Sequence, residues 1–308
     1  MNTTPEDAFK MAVLGTVPEK KDEFELLWSQ NEININLSKD YQGFKLQSGA
    51  YNSIIYSHKT MVTCWVVGAC AQISFDAWHQ IILRCQKDSI KLSLIDLFSD
   101  SISKDLSSGA RLVKRLLDAD NFDDVTWYPK IPHPDLGKPI DVSGQMFFDV
   151  SCMSMAFNIL HEINHISISN NGENLTGYEE EFACDAFAKR FLLEDIIKYS
   201  SLSGDDYNTV RSKRLMAIAL SCSLFYMITQ PKHWLESKSH PSISERVRAL
   251  FCAVDISDND LSCCYLSTSL LMVLLIFNVE VDELKCTTLK SLSFELLDIL
   301  DDFARNKK

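Results

Sequence analysis

A chain of 308 residues with 46% hydrophobic side chains is long enough to bury a large core in one or two domains. Its formal charge of −12 and pI near 5.0 oppose the phosphate backbone of nucleic acids, and no Lys/Arg cluster reverses this locally, so nucleic acid is not an expected partner. Ten cysteines without a CxxC pair indicate reduced, buried thiols in a cytoplasmic protein, and the polar, acidic first ten residues lack the layout of a signal peptide.

In chain order, Thr4-Pro5-Glu6 opens one helix and the charged run at 19–25 opens another. From 33 the pattern alternates, at 33–37, 44–46 and 53–56 with Gly43 and Gly49 as punctuation, which predicts two or three antiparallel strands. Helical spacing follows at 59–85, 92–99 and 109–118. Half of the eight prolines then fall between 129 and 139, a density that excludes helix and central strand and predicts an ordered loop or hinge. Beyond it lie an uninterrupted apolar helix over 145–169 and further helices at 178–199, 207–229, 243–254, 261–277 and 288–304. Residues 261–279 carry no charge, yet their unbroken apolar part is only 270–277. A membrane span needs about 20 such residues, so a buried core helix is expected and membrane contact is not. The expected fold class is α+β and mainly helical, with a small antiparallel sheet near the N-terminus and an active-site helix of zincin type. The expected division is an N-terminal α+β lobe over 1–140 and a helical catalytic lobe over 141–308.

The apolar helix carries His161-Glu162-Ile163-Asn164-His165. Residues four apart share a helix face, so His161 and His165 can each offer a ring nitrogen to one metal ion, with zinc the expected choice. Glu162 is rotated about 100° from His161, poorly placed as a ligand and well placed to take a proton from the attacking water. Burying two imidazoles and a carboxylate without partners would be expensive. The plainer alternative is a helix with incidental polar residues.

A catalytic zinc takes three protein ligands, and the next helix opens with Glu179-Glu180-Glu181-Phe182-Ala183-Cys184-Asp185. Only Glu181 of the three glutamates has an acidic residue four positions on. Glu181 and Asp185 therefore share a face, continued by Ala188 and Leu192, which implies burial. Glu181 is the expected third ligand and Asp185 the acceptor that fixes the orientation of a ligand histidine. Glu179 and Glu180 read as complements to the helix dipole. The third-histidine pattern of other metalloproteases is absent after His165.

A later polar cluster, at 239–246, opens another helix that Ser242 can cap. His240 can then donate a hydrogen bond to a developing oxyanion, or it is an exposed neighbour of the cap. Arg246, one turn on, can pair with a carboxylate.

These motifs, in this order, resemble the Lit-type phage-exclusion peptidases: the proline-rich segment at 127–134, His161 to His165, Glu180-Glu181 with Asp185 and Ala188, and His240-Pro241 with Glu245-Arg246. The resemblance covers about 127–250. It implies a cytoplasmic zinc endopeptidase that cleaves elongation factor Tu during phage infection, triggered by a phage coat-protein segment. Cys184, where such peptidases commonly have Ala, and Asn164 inside the pentapeptide depart from the pattern without removing a ligand. Two other readings stand beside it: a repressor-cleaving metalloprotease, whose Phe-Ala and Leu-Leu spacing Phe187-Ala188 and Leu192-Leu193 also fit, and a metal-free toxin or interaction protein.

Overall fold

The computed structural model describes residues 4–307 apart from 40, 42, 99, 239, 253–255 and 282. The expected helix ends at 99 and 254, and residue 239 of the polar cluster, therefore lie outside the described residues.

Thr4 starts α1 (Pro5–Leu14) through a capping box with Asp7, and α2 (Lys21–Gln30) follows. Three strands come next, β1 (Asn34–Ser38), β2 (Leu46–Gly49) and β3 (Ser53–Ser57). Tyr51 and Asn52 both take positive φ, 58° and 55°, which gives the tight turn that makes β2 and β3 an antiparallel hairpin. β3 inserts between the first two strands, so it runs antiparallel to β2 and parallel to β1, and the sheet is mixed in the order β1-β3-β2. That order leaves β2 at an edge.

Ser57 caps α3 (His58–Asp88), the central helix. It is the one described helix long and apolar enough to cross a membrane, and 72% of its most apolar stretch is buried within the protein. α3 packs against α5 (Asp100–Asp118), α6 (Val142–Asn170) and α11 (Leu261–Ile276). A methyl group at Gly68 would collide with Ser151 Oγ of α6, and one at Gly109 with Cys70 Sγ of α3, so these two glycines set how closely the helices approach. α11 is buried from Ser262 to Leu274, and Ser267 Oγ meets Ser293 Oγ of α12 (Leu289–Arg305) at 2.8 Å.

Two expected helices are broken. The segment at 92–99 begins as β4 (Leu92–Ser93), paired with β5 (Glu283–Leu284), before the short α4 (Leu94–Leu97). The segment at 178–199 divides into α7 (Gly177–Leu193) and α8 (Ile196–Ser203), because Glu194 is extended and Asp195 takes a φ of 56°. Both carboxylates reach Lys20 Nζ at 3.2 Å, an attachment that a continuous helix would forgo. α9 (Tyr207–Ile228) packs along α6 and α11, and α10 (Ile243–Cys252) closes over α7. Arg214 of α9 ties the N-terminal segment in from a fully buried position, donating to Glu19 Oε1 at 2.5 Å and to the Leu192 carbonyl at 2.7 Å.

Candidate active site

α6 supplies the first half of the site. Asp141 caps it, accepting from Gly144 N at 2.8 Å, and Ile159, Leu160 and Ile163 anchor it in the core. His161, Glu162 and His165 line a cleft of about 400 Å³ together with Glu181 of α7, Phe225 of α9, Arg246 of α10, His240 ahead of α10, Phe44, and Leu46, Gln47 and Ser48 of β2.

The two imidazoles are each fixed from behind. His161 Nδ1 lies 2.9 Å from Asp185 Oδ1, and His165 Nδ1 lies 2.7 Å from Glu180 Oε1. A carboxylate only accepts, so both Nδ1 atoms carry protons and both Nε2 atoms face the cleft. Those Nε2 atoms are 3.0 Å apart. Two lone pairs at that distance repel, and either a proton or a shared cation relieves them.

Glu181 completes the donor group. Its Oε2 is 3.6 Å from His161 Nε2 and its Oε1 is 3.7 Å from His165 Nε2. Donors on one tetrahedral ion of zinc's size stand about 3.3–3.4 Å apart, so the three separations bracket the value such an ion needs. Cys184 is a second candidate: its sulfur and the two imidazoles each place a donor atom within 4.8 Å of the others, a group able to hold a metal ion. Burial pushes the Cys184 thiol pKa up, which disfavours the thiolate that binds metals, and its sulfur already accepts from Asn164 Nδ2 at 3.5 Å. Glu181, with its oxygens at 3.6 and 3.7 Å from the two Nε2 atoms, is the better fit.

Arg246 organises the carboxylates of α7. Its Nε and Nη2 donate to Asp185 at 2.8 and 2.7 Å, and its Nη1 reaches Glu181 Oε2 at 2.9 Å. Burial alone would raise the Asp185 pKa, but the Arg246 charge and hydrogen bonds hold it well below the usual carboxylate range. Burial alone would lower the His161 pKa; the hydrogen bond and charge of Asp185 outweigh it and hold it above the ordinary imidazole value. Glu162 points to the sheet, where its Oε2 accepts from the Ser48 backbone N–H at 2.6 Å. His240 stands at the cleft rim, 62% exposed, with Nε2 at 3.6 Å from Glu181 Oε1. Ser242 caps α10 as expected, its Oγ accepting from Glu245 N at 3.1 Å.

A family model described as Peptidase U49 matches residues 54–267, well over half of the chain. The chain belongs to the Peptidase U49 family. No curated protein and no solved structure is significantly similar to it. The U49 match runs from β3 to α11 and so contains α6, α7, α9 and α10, the helical elements that build the cleft. Within this U49 peptidase the residues expected from sequence, His161, Glu162, His165, Glu181, Asp185 and His240, all stand in or directly behind one cleft. Three contributions were not among the expected ones. Glu180, in the first turn of α7, holds His165 in addition to complementing the helix dipole, Ser48 engages through its backbone, and Asn158 lines the cleft one turn before His161. The Glu180 signal was available in its position one residue before Glu181, beside a histidine that lacked an acceptor.

Proposed function

We propose that this U49 peptidase is a zinc-dependent endopeptidase, with His161, His165 and Glu181 as the residues that hold the ion and Glu162 as the general base. The observation that carries the reading is the pair of Nε2 atoms 3.0 Å apart, each backed at Nδ1 by a carboxylate, with the Glu181 carboxylate beside both. When bound, zinc supplies Lewis acidity, making a water nucleophilic at neutral pH and polarising a carbonyl.

The chain's own groups do the rest. Asp185 and Glu180 keep both imidazoles in the Nδ1–H tautomer and aimed at the cleft. Arg246 offsets the negative charge that Glu181 and Asp185 concentrate on one helix face. Glu162 takes a proton from the attacking water and passes it to the leaving amine. His240, at the rim, is suited to donate a hydrogen bond to the oxygen that becomes negative. β2 is an edge strand lining the cleft, and an extended substrate chain can pair with it.

On the Lit-type resemblance the substrate is elongation factor Tu in the cytoplasm, cut in response to a phage protein. Incubating a cell lysate with the native protein and with Glu162→Gln tests both levels. Loss of one band, identified as the elongation factor, with native protein alone supports the full reading. A cut repressor instead would move the substrate to the rival class, and equal digestion by Glu162→Gln would remove the assigned base.

A further inference from the structure

Asn158 is buried, 5% exposed, and lines the cleft beside His161, Glu162 and His165. It precedes Glu162 by four residues, so the two share a face of α6. Both Oδ1 and Nδ2 of its carboxamide are without a hydrogen-bond partner, and among the described residues no other buried side chain leaves two polar atoms unpaired. Native proteins rarely bury such groups unpaired, because each forgoes its hydrogen bonds to water. A leucine of similar size would avoid the penalty, and the walls nearby include Leu224 and the half-buried Phe225, which would suit it. The polar choice at this position therefore works against stability, at the floor of the cleft where a ligand would sit.

We propose that Asn158 is a specificity-determining residue that binds an amide of the substrate. A carboxamide offers one acceptor and one donor side by side, the complement of another amide, in its main-chain or its Asn/Gln side-chain form. The apolar walls beside it disfavour a charged group at this subsite. Both polar atoms are sealed from solvent, so the incoming group has to displace neighbouring cleft-lining side chains; Gln47 of β2 is exposed, whereas Phe225 stacks under the Arg246 guanidinium at 4.8 Å. The inference rests on the peptidase reading of the cleft, and it adds the chemistry that the subsite selects.

The test compares zinc-loaded native protein with Asn158→Leu on a proteome-derived peptide library, followed by kcat/KM on the best-cleaved peptide. The expected result is about a tenfold loss in kcat/KM, the worth of one or two neutral hydrogen bonds, with zinc content unchanged and the unfolding midpoint equal or higher. A native preference for Asn or Gln at one position that shifts to Leu or Met in the variant assigns the side-chain amide. A uniform loss with an unchanged profile assigns the main chain. Equal kcat/KM and equal profiles overturn the proposal and leave the peptidase reading intact. Should Asn158→Leu fail to fold, Asn158→Ala replaces it. Calorimetric binding of a blocked hexapeptide series, with Ala, Leu or Gln at successive positions, is measured in the Glu162→Gln background with and without the Asn158 change. Asn158-dependent binding without any cleavage by native protein would sink the peptidase reading and keep the amide subsite, whereas binding indifferent to Asn158 sinks the subsite.

Discussion

Arg246 grips Asp185 with a two-pronged hydrogen bond, Nε to Oδ2 at 2.8 Å and Nη2 to Oδ1 at 2.7 Å, while the same Oδ1 faces His161 Nδ1 at 2.9 Å. One guanidinium on α10 thus orients an imidazole on α6 through a carboxylate on α7. Removing it strands a buried charge. Arg246→Met is expected to destabilise the protein by about 3–5 kcal/mol, and Arg246→Lys, which cannot fork, by less. Urea unfolding of the three proteins measures the order; a Met variant as stable as the native chain contradicts the account.

The same pair sets a pH dependence for metal-free protein. His161, held above its ordinary value, contributes stability that is full below about pH 6.5 and is lost as pH rises through its folded pKa. Asp185, held below its ordinary value, contributes stability that is full above about pH 4 and is lost as pH falls toward its folded pKa. Chelated protein should therefore be most stable between about pH 4 and 6.5. Zinc should add most at higher pH, where no proton competes for His161. Unfolding midpoints from pH 3 to 9, with chelator and with zinc, check this; a zinc effect that shrinks above pH 7 would count against it.

Ser48 offers Glu162 a backbone donor from an edge strand, and its N–H points away from the β2–β3 ladder. Proline is tolerated at such an edge. Ser48→Pro should keep the unfolding midpoint close to native and lower kcat by about tenfold, because the base loses the bond that orients it. Unaltered kcat would show that Glu162 is positioned without Ser48.

Gly68 governs the contact of α3 with the site helix. Gly68→Ala drives a methyl into Ser151 Oγ and Phe147 and should cost about 1–3 kcal/mol, partly recovered by adding Ser151→Ala. A double variant no more stable than the single one would place the strain elsewhere.

The helices and the pentapeptide were legible because apolar spacing and the four-residue interval of His161 and His165 are local signals. The approach of Glu181 and Asp185 to those histidines was legible for a related reason: their shared face runs into Ala188 and Leu192, which must be buried. What escaped depends on the chain folding back over long separations. The parallel pairing of β1 follows from where β3 inserts, the break at Asp195 from a lysine far upstream, and the Ser48 contact from a backbone group that every residue except proline carries. Arg246 was read as a partner for some carboxylate, but which one is a matter of how α10 packs on α7.

Zinc content measured on the purified native chain, beside Glu181→Ala, tests the central claim most directly. The account predicts one tightly held zinc in the native protein and its loss, with peptide cleavage, in Glu181→Ala. A native chain that neither retains zinc nor gains hydrolytic activity when zinc is supplied, or a Glu181→Ala variant that binds it undiminished, would contradict the assignment.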